Sequence, residues 1–160
     1  MCDRCGEFPD FHHRRDLDRT AVEPPPPTPS LPETAGGRPR VLLIDDSAEH
    51  RDLYALMLEQ TVTVITASGG EDGLSIATAS PPDAVIVDVV MPRISGWEVC
   101  RRLGANPATA SVPVIILTAS DTADVPARAL EAGAAAVLTK PCPPERLVLT
   151  IGAAIRRQRA

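Results

Sequence analysis

Aromatic side chains are nearly absent from this chain: one Trp, one Tyr and two Phe among 160 residues. Any core must therefore be filled by aliphatic and alanine side chains. No apolar run approaches the roughly 18 residues that a membrane-spanning helix needs. The N-terminus lacks the apolar segment of a secretory signal. Basic residues are not in excess. The net charge is −5 and the pI about 5.2, which argues against nucleic-acid binding, whose footprint is a basic domain. Cysteine is scarce as well. Four residues, Cys2, Cys5, Cys100 and Cys142, do not make a disulfide framework, and a reducing, cytoplasmic setting is the simplest expectation.

What the chain does contain divides in two. Residues 1–38 begin with charges of mixed sign and continue into Glu23-Pro24-Pro25-Pro26-Pro27-Thr28-Pro29. Seven of the 17 prolines fall between positions 24 and 39. Such a segment buries too little apolar surface to offset its ordering entropy, so a disordered, semi-rigid spacer is expected. Cys2, Cys5, His12 and His13 sketch a zinc-ligand pattern. Adjacent histidines without surrounding apolar residues fit the four-ligand tetrahedron poorly. The proline tract could equally serve a proline-reading domain, or translation could start downstream of it.

Residues 39–158 are regular. Val41-Leu42-Leu43-Ile44 is an apolar run that ends in Asp45-Asp46. Ser47 can cap a helix in which Leu53, Leu56, Met57 and Gln60 recur at helical spacing. Val62–Thr66 is a β-branched strand. Ser68-Gly69-Gly70 opens a second helix, with Leu74, Ala77 and Thr78 on one side, and Pro81-Pro82 closes it. Ala84–Val87 is apolar at every position, as a strand buried on both faces must be, and it ends in Asp88. A third helix begins at Ser95-Gly96 and carries Val99, Cys100 and Leu103 on one face. Val114–Leu117 ends in Thr118. Pro126 is tolerated only in a first turn, so the next helix should start near Asp124 and stop at Gly133. Ala135–Thr139 is a fifth strand, ending in Lys140-Pro141. After Pro143-Pro144 the last helix places Leu147, Ile151, Ala154 and Ile155 inward.

Five strand-helix units predict an α/β fold: a doubly wound, flavodoxin-like parallel sheet in the order 2-1-3-4-5. That order makes neighbours of the four strands that end in Asp45-Asp46, Asp88, Thr118 and Lys140. In open α/β sheets, ligands bind beyond the carboxyl ends of the strands. Crowded carboxylates raise one another's pKa, and a hard divalent cation with oxygen ligands, Mg²⁺, removes that penalty. A lysine and a threonine hydroxyl beside them suit a phosphoryl group, with one carboxylate as nucleophile. Taken singly, each residue reads as an ordinary strand terminator. Their joint occurrence at successive strand ends points to a site.

The pieces Val41–Ser47, Val87–Pro92, Gly96–Cys100, Leu117-Thr118-Ala119, Glu131–Ala134 and Leu138–Pro141 closely resemble the receiver domain of two-component response regulators, in that family's order and spacing. The resemblance implies that Asp88 accepts a phosphoryl group from a histidine kinase or phosphotransfer protein. It implies that Asp45, Asp46, Asp88 and the Val90 backbone carbonyl surround Mg²⁺. Lys140 would contact the phosphoryl group, Thr118 would turn toward it on activation, and the Lys140-Pro141 bond would be cis. The expectation is a stand-alone receiver that signals through protein contacts in a phosphorelay. It would transfer one phosphoryl group to itself and would not be a multiple-turnover enzyme, and neither nucleic acid nor membrane would be its partner.

The chain departs from the family at several places. Receivers usually carry an aromatic residue three positions before the lysine, and here that position is Val137. Pro126 shortens the start of the fourth helix on the same face. Output is then expected through a small shift of that helix, or a partner reads another face. Val90 and Ser120 stand where the family flanks the water that hydrolyses the phosphoryl group, and Val90 offers that water no side-chain hydrogen bond. Trp97 should pack half-buried. An aspartyl-nucleophile phosphohydrolase would need a second Asp at position 90, so that reading is weak. A non-phosphorylated binding module is favoured only by Val137.

Overall fold

The computed structural model describes Leu31 and residues 36–159. Most of the expected N-terminal extension, with Cys2, Cys5, His12, His13 and the proline tract, lies outside the described residues. The elements are β1 (Arg40–Ile44), α1 (Ala48–Leu58), β2 (Thr63–Ala67), α2 (Gly70–Ala79), β3 (Ala84–Asp88), α3 (Gly96–Ala105), β4 (Val114–Thr118), α4 (Val125–Ala132), β5 (Ala136–Thr139) and α5 (Pro144–Arg159). All strand pairs are parallel, in the order β2-β1-β3-β4-β5. Both the flavodoxin-like fold class and the strand order agree with expectation. β2 starts one residue later than its β-branched run, and β5 starts at Ala136 rather than Ala135.

Side-chain alternation divides the core into two layers. Val41, Leu43, Ile86, Ile115 and Leu117 pack on one face of the sheet with Tyr54 and Leu58 of α1 and with Leu147, Ile151 and Ile155 of α5. Leu42, Ile44, Val85, Val87, Val114 and Ile116 pack on the other face with Ala77 of α2, Val99 and Leu103 of α3, and Ala129 of α4. Consecutive strand residues point to opposite faces, so a strand covered on both sides must be apolar throughout. That requirement explains the unbroken runs.

One helix departs from its expected face, and one side chain of another from its expected depth. In α1 the residues Leu53 and Leu56 are exposed, whereas Tyr54 and Leu58 are buried. The segment Leu53-Tyr54-Ala55-Leu56-Met57-Leu58 is apolar all round, so its periodicity does not single out one face. In α3, Trp97 is 2% exposed rather than half-buried, because α4 lies over it with the Arg128 guanidinium 5.2 Å from the ring centroid. Its indole N–H has no hydrogen-bond partner among the described residues.

α4 follows its proline: Asp124 is the N-cap, Pro126 lies in the first turn, and Gly133 closes the helix in the left-handed conformation at φ 79°. Val137 is partly buried against the layer that holds α4. Among the described residues, no helix is long and apolar enough to cross a membrane. Cys100 and Cys142 are free and buried.

Candidate functional site

Strand register builds the site. Ile44 pairs with Val87, so the next residues, Asp45 and Asp88, leave β1 and β3 side by side. Asp88 pairs with Leu117, and Thr118 pairs with Thr139. Thr118 and Lys140 therefore leave the sheet one and two steps further out. The Lys140 N–H donates to the Thr118 carbonyl at 2.7 Å, and the Lys140-Pro141 peptide is cis, as the resemblance implies. β5 stands three strand intervals from β1, roughly 14 Å at ordinary spacing. Contact across that gap takes a long side chain on a residue already past its strand end, met by a carboxylate from the other side, as Lys140 and Asp45 provide.

The Lys140 ammonium donates to Asp45 Oδ2 at 2.8 Å and lies 3.6 Å from Asp88 Oδ2. The ammonium itself stands over the Tyr54 ring, with Nζ 5.9 Å from the centroid. The Tyr54 hydroxyl accepts the Cys142 N–H at 3.3 Å, which ties α1 to the loop after β5. Asp45 is buried, and its Oδ1 accepts the Ser47 N–H at 2.9 Å. Asp46 is exposed.

Asp45, Asp46 and Asp88 each present a carboxylate oxygen, and the three oxygens lie within 4.8 Å of one another. An octahedral Mg²⁺ holds opposite oxygen ligands about 4.2 Å apart. The donor set, hard oxygens only, fits such an ion. Burial raises the Asp88 pKa above the ordinary carboxylate value, and the charges of Asp45 and Asp46 push the same way; Lys140 and the Val89 N–H oppose them.

Thr118 is buried, and its hydroxyl accepts the Ser120 N–H at 3.1 Å. Val90 lies in the loop after β3 with its side chain 75% exposed. Gly96 lets α3 start hard against this loop: its N–H donates to the Val89 carbonyl at 3.0 Å, and a Cβ there would stand 2.3 Å from the Asp88 carbonyl oxygen. The structure thus gathers Asp45, Asp46, Asp88 and Lys140 and keeps Thr118 one strand-step away.

Sequence reasoning missed two members. His50 Nδ1 stands 3.2 Å from Lys140 Nζ, and Tyr54 underlies the same ammonium. Their signal was the i, i+4 spacing of His50 and Tyr54 on α1, hidden by the wrong choice of inward face.

A family model for the response regulator receiver domain matches residues 41–152. Protein PilH of Pseudomonas aeruginosa is 36% identical over 117 residues, which cover 72% of this chain and 97% of PilH. The chain spans less of longer curated relatives, 50% of one and 23% of another. A response regulator receiver domain protein from Clostridium thermocellum is 33% identical with a TM-score of 0.69, covering 76% of this chain and 97% of that one. The chemotaxis protein CheY4 of Vibrio cholerae is 28% identical with a TM-score of 0.70, covering 74% and 99%. The fold, the cluster of strand-end residues and these matches agree, and the chain belongs to the response regulator receiver domain family of two-component systems.

Proposed function

We propose that Asp88 accepts a phosphoryl group from a histidine kinase or phosphotransfer protein and that the phosphorylated chain signals through protein contacts. One observation carries this reading: three carboxylates and a lysine from three different segments converge where the strands end, with Asp88 3.6 Å from the ammonium.

An Asp88 carboxylate oxygen attacks phosphorus, the bond from phosphorus to the donor's imidazole nitrogen breaks, and an acyl phosphate forms on Asp88. The departing imidazole keeps the bonding electron pair and takes a proton. Lys140 pairs with the phosphoryl oxygens and offsets charge that would otherwise repel Asp45 and Asp46. The Thr118 hydroxyl, which now only accepts, can donate to a phosphoryl oxygen once it turns. Asp45, Asp46, Asp88 and the Val90 carbonyl would hold Mg²⁺, which when bound neutralises charge on the transferred group. The transfer is self-directed and does not turn over an external substrate.

Intact mass after incubation with acetyl phosphate and Mg²⁺ tests the reading. The expected result is one phosphoryl group per chain, lost in Asp88→Asn. Multiple turnover of acetyl phosphate would favour a phosphohydrolase, and no adduct would favour a binding module.

A further inference from the structure

His50 occupies the first turn of α1 and is held there by the same residue that starts the helix. Its N–H donates to Ser47 Oγ at 3.4 Å, and the Ser47 N–H donates to Asp45 Oδ1 at 2.9 Å. Side chains of a first turn lean toward the helix N-terminus, and this one reaches Lys140. Nδ1 lies 3.2 Å from Lys140 Nζ and 3.9 Å from Asp45 Oδ2. The second distance exceeds a hydrogen bond. An ammonium has three donors and no acceptor. Nδ1 must therefore accept, and the ring hydrogen sits on Nε2. Two of the lysine's three donors go to Asp45 and His50, which leaves one for oxygens arriving at Asp88.

The two acceptors differ in kind. Asp45 is also in the carboxylate cluster, and a hard cation seeks its oxygens. A neutral imidazole nitrogen is one acceptor for Lys140 that such a cation leaves alone. We propose, building on the phosphoacceptor reading, that His50 is a positioning residue: it holds the Lys140 ammonium above Asp88 when Asp45 is drawn to the metal. The rival is that an exposed first-turn side chain merely touches its neighbour.

Two measurements on the full chain decide. Imidazole ¹⁵N NMR should find His50 as the Nε2–H tautomer, and Lys140→Met should move the Nδ1 resonance toward the tautomer average. An Nδ1 resonance that ignores Lys140→Met overturns the proposal. The rate of adduct formation from acetyl phosphate and Mg²⁺ should fall on the order of tenfold in His50→Ala, the effect of one hydrogen bond to a charged group. His50→Gln, which keeps an acceptor, should recover most of it. Equal rates in wild type and His50→Ala would also overturn it. Absence of an adduct from the wild type would sink the Asp88 reading instead, and the imidazole spectrum would still decide whether His50 holds Lys140.

Discussion

The Arg128 guanidinium lies over the Trp97 ring, 5.2 Å from its centroid, and so fastens α4 onto α3. Trp97 is the only tryptophan of the chain, so its emission reports the position of α4. Phosphorylation with acetyl phosphate and Mg²⁺ is expected to change that emission, because α4 begins just beyond the loop that follows Thr118. Arg128→Ala should shift the resting spectrum and cost about 0.5–1 kcal/mol in chemical denaturation, the range of a partly exposed cation–π contact. Emission that stays flat while the mass adduct forms would remove α4 from the switch.

Asp88 is expected to destabilise the fold at neutral pH when no cation is bound. Burial first, and then Asp45 and Asp46, raise its pKa above 3.8, against the opposing pull of Lys140. A carboxyl that binds its proton more tightly in the folded state favours folding in acid, and that favour is lost as pH rises through the folded pKa. Asp88→Asn removes the charge. At pH 7 in chelator its Tm should therefore rise above that of the wild type. The gain should shrink toward zero as pH falls below 3.8, where Asp88 is neutral in both states. Mg²⁺ should raise the Tm of the wild type, by about 2.7 kcal/mol of stabilisation at a hundred times its Kd, and raise that of Asp88→Asn less. Thermal melts across pH, with and without the ion, check both signs.

Two glycines of α3 should respond oppositely to alanine. A Cβ at Gly96 would stand 2.3 Å from the Asp88 carbonyl oxygen and 3.0 Å from Val89 Cα. Backbone cannot rotate away as a side chain can, so Gly96→Ala is expected to cost at least the 1–3 kcal/mol typical of overpacking, roughly. It should also displace Asp88 and weaken Mg²⁺ binding. A Cβ at Gly104 meets nothing within 4 Å, and Gly104→Ala should stabilise by about 0.5–1 kcal/mol through helix propensity. Denaturant midpoints of the two variants give the comparison.

The strands were legible because a sheet covered on both faces leaves no choice of residue: each run from Val41 to Ile44, Ala84 to Val87 and Val114 to Leu117 is apolar at every position. Once the runs were in order, Asp45, Asp46, Asp88 and Lys140 fell together from topology alone. Helix faces were less legible. α3 carries polar residues between Val99, Cys100 and Leu103, so its face was plain. α1 is apolar all round from Leu53 to Leu58, and only the tertiary contacts choose Tyr54 and Leu58. That ambiguity hid His50 and Tyr54, which recur at i, i+4 spacing in line with Leu58. The depth of Trp97 was illegible for another reason: it depends on how closely α4 approaches, and no local pattern encodes that distance.

The phosphoryl lifetime should be long, and Val90 is the reason. Its side chain is 75% exposed in the loop after β3, two residues past Asp88, where the family resemblance places it beside the hydrolytic water. An isopropyl group neither donates to nor accepts from that water, so nothing on this side orients it for attack in line with the acyl oxygen. Val90→Asn supplies both a donor and an acceptor at the same place. Positioning a water is worth a modest part of a barrier, and each 1.36 kcal/mol corresponds to about tenfold in rate. The variant is therefore expected to lose its phosphoryl group roughly several-fold to tenfold faster. Its stability should hardly change, since surface substitutions usually fall within about 0.5 kcal/mol. The measurement is decay of the intact-mass adduct after acetyl phosphate is removed, with Mg²⁺ held constant. Matching decay in wild type and variant would mean that the water is oriented from elsewhere, with Ser120 on the opposite loop as the next residue to replace.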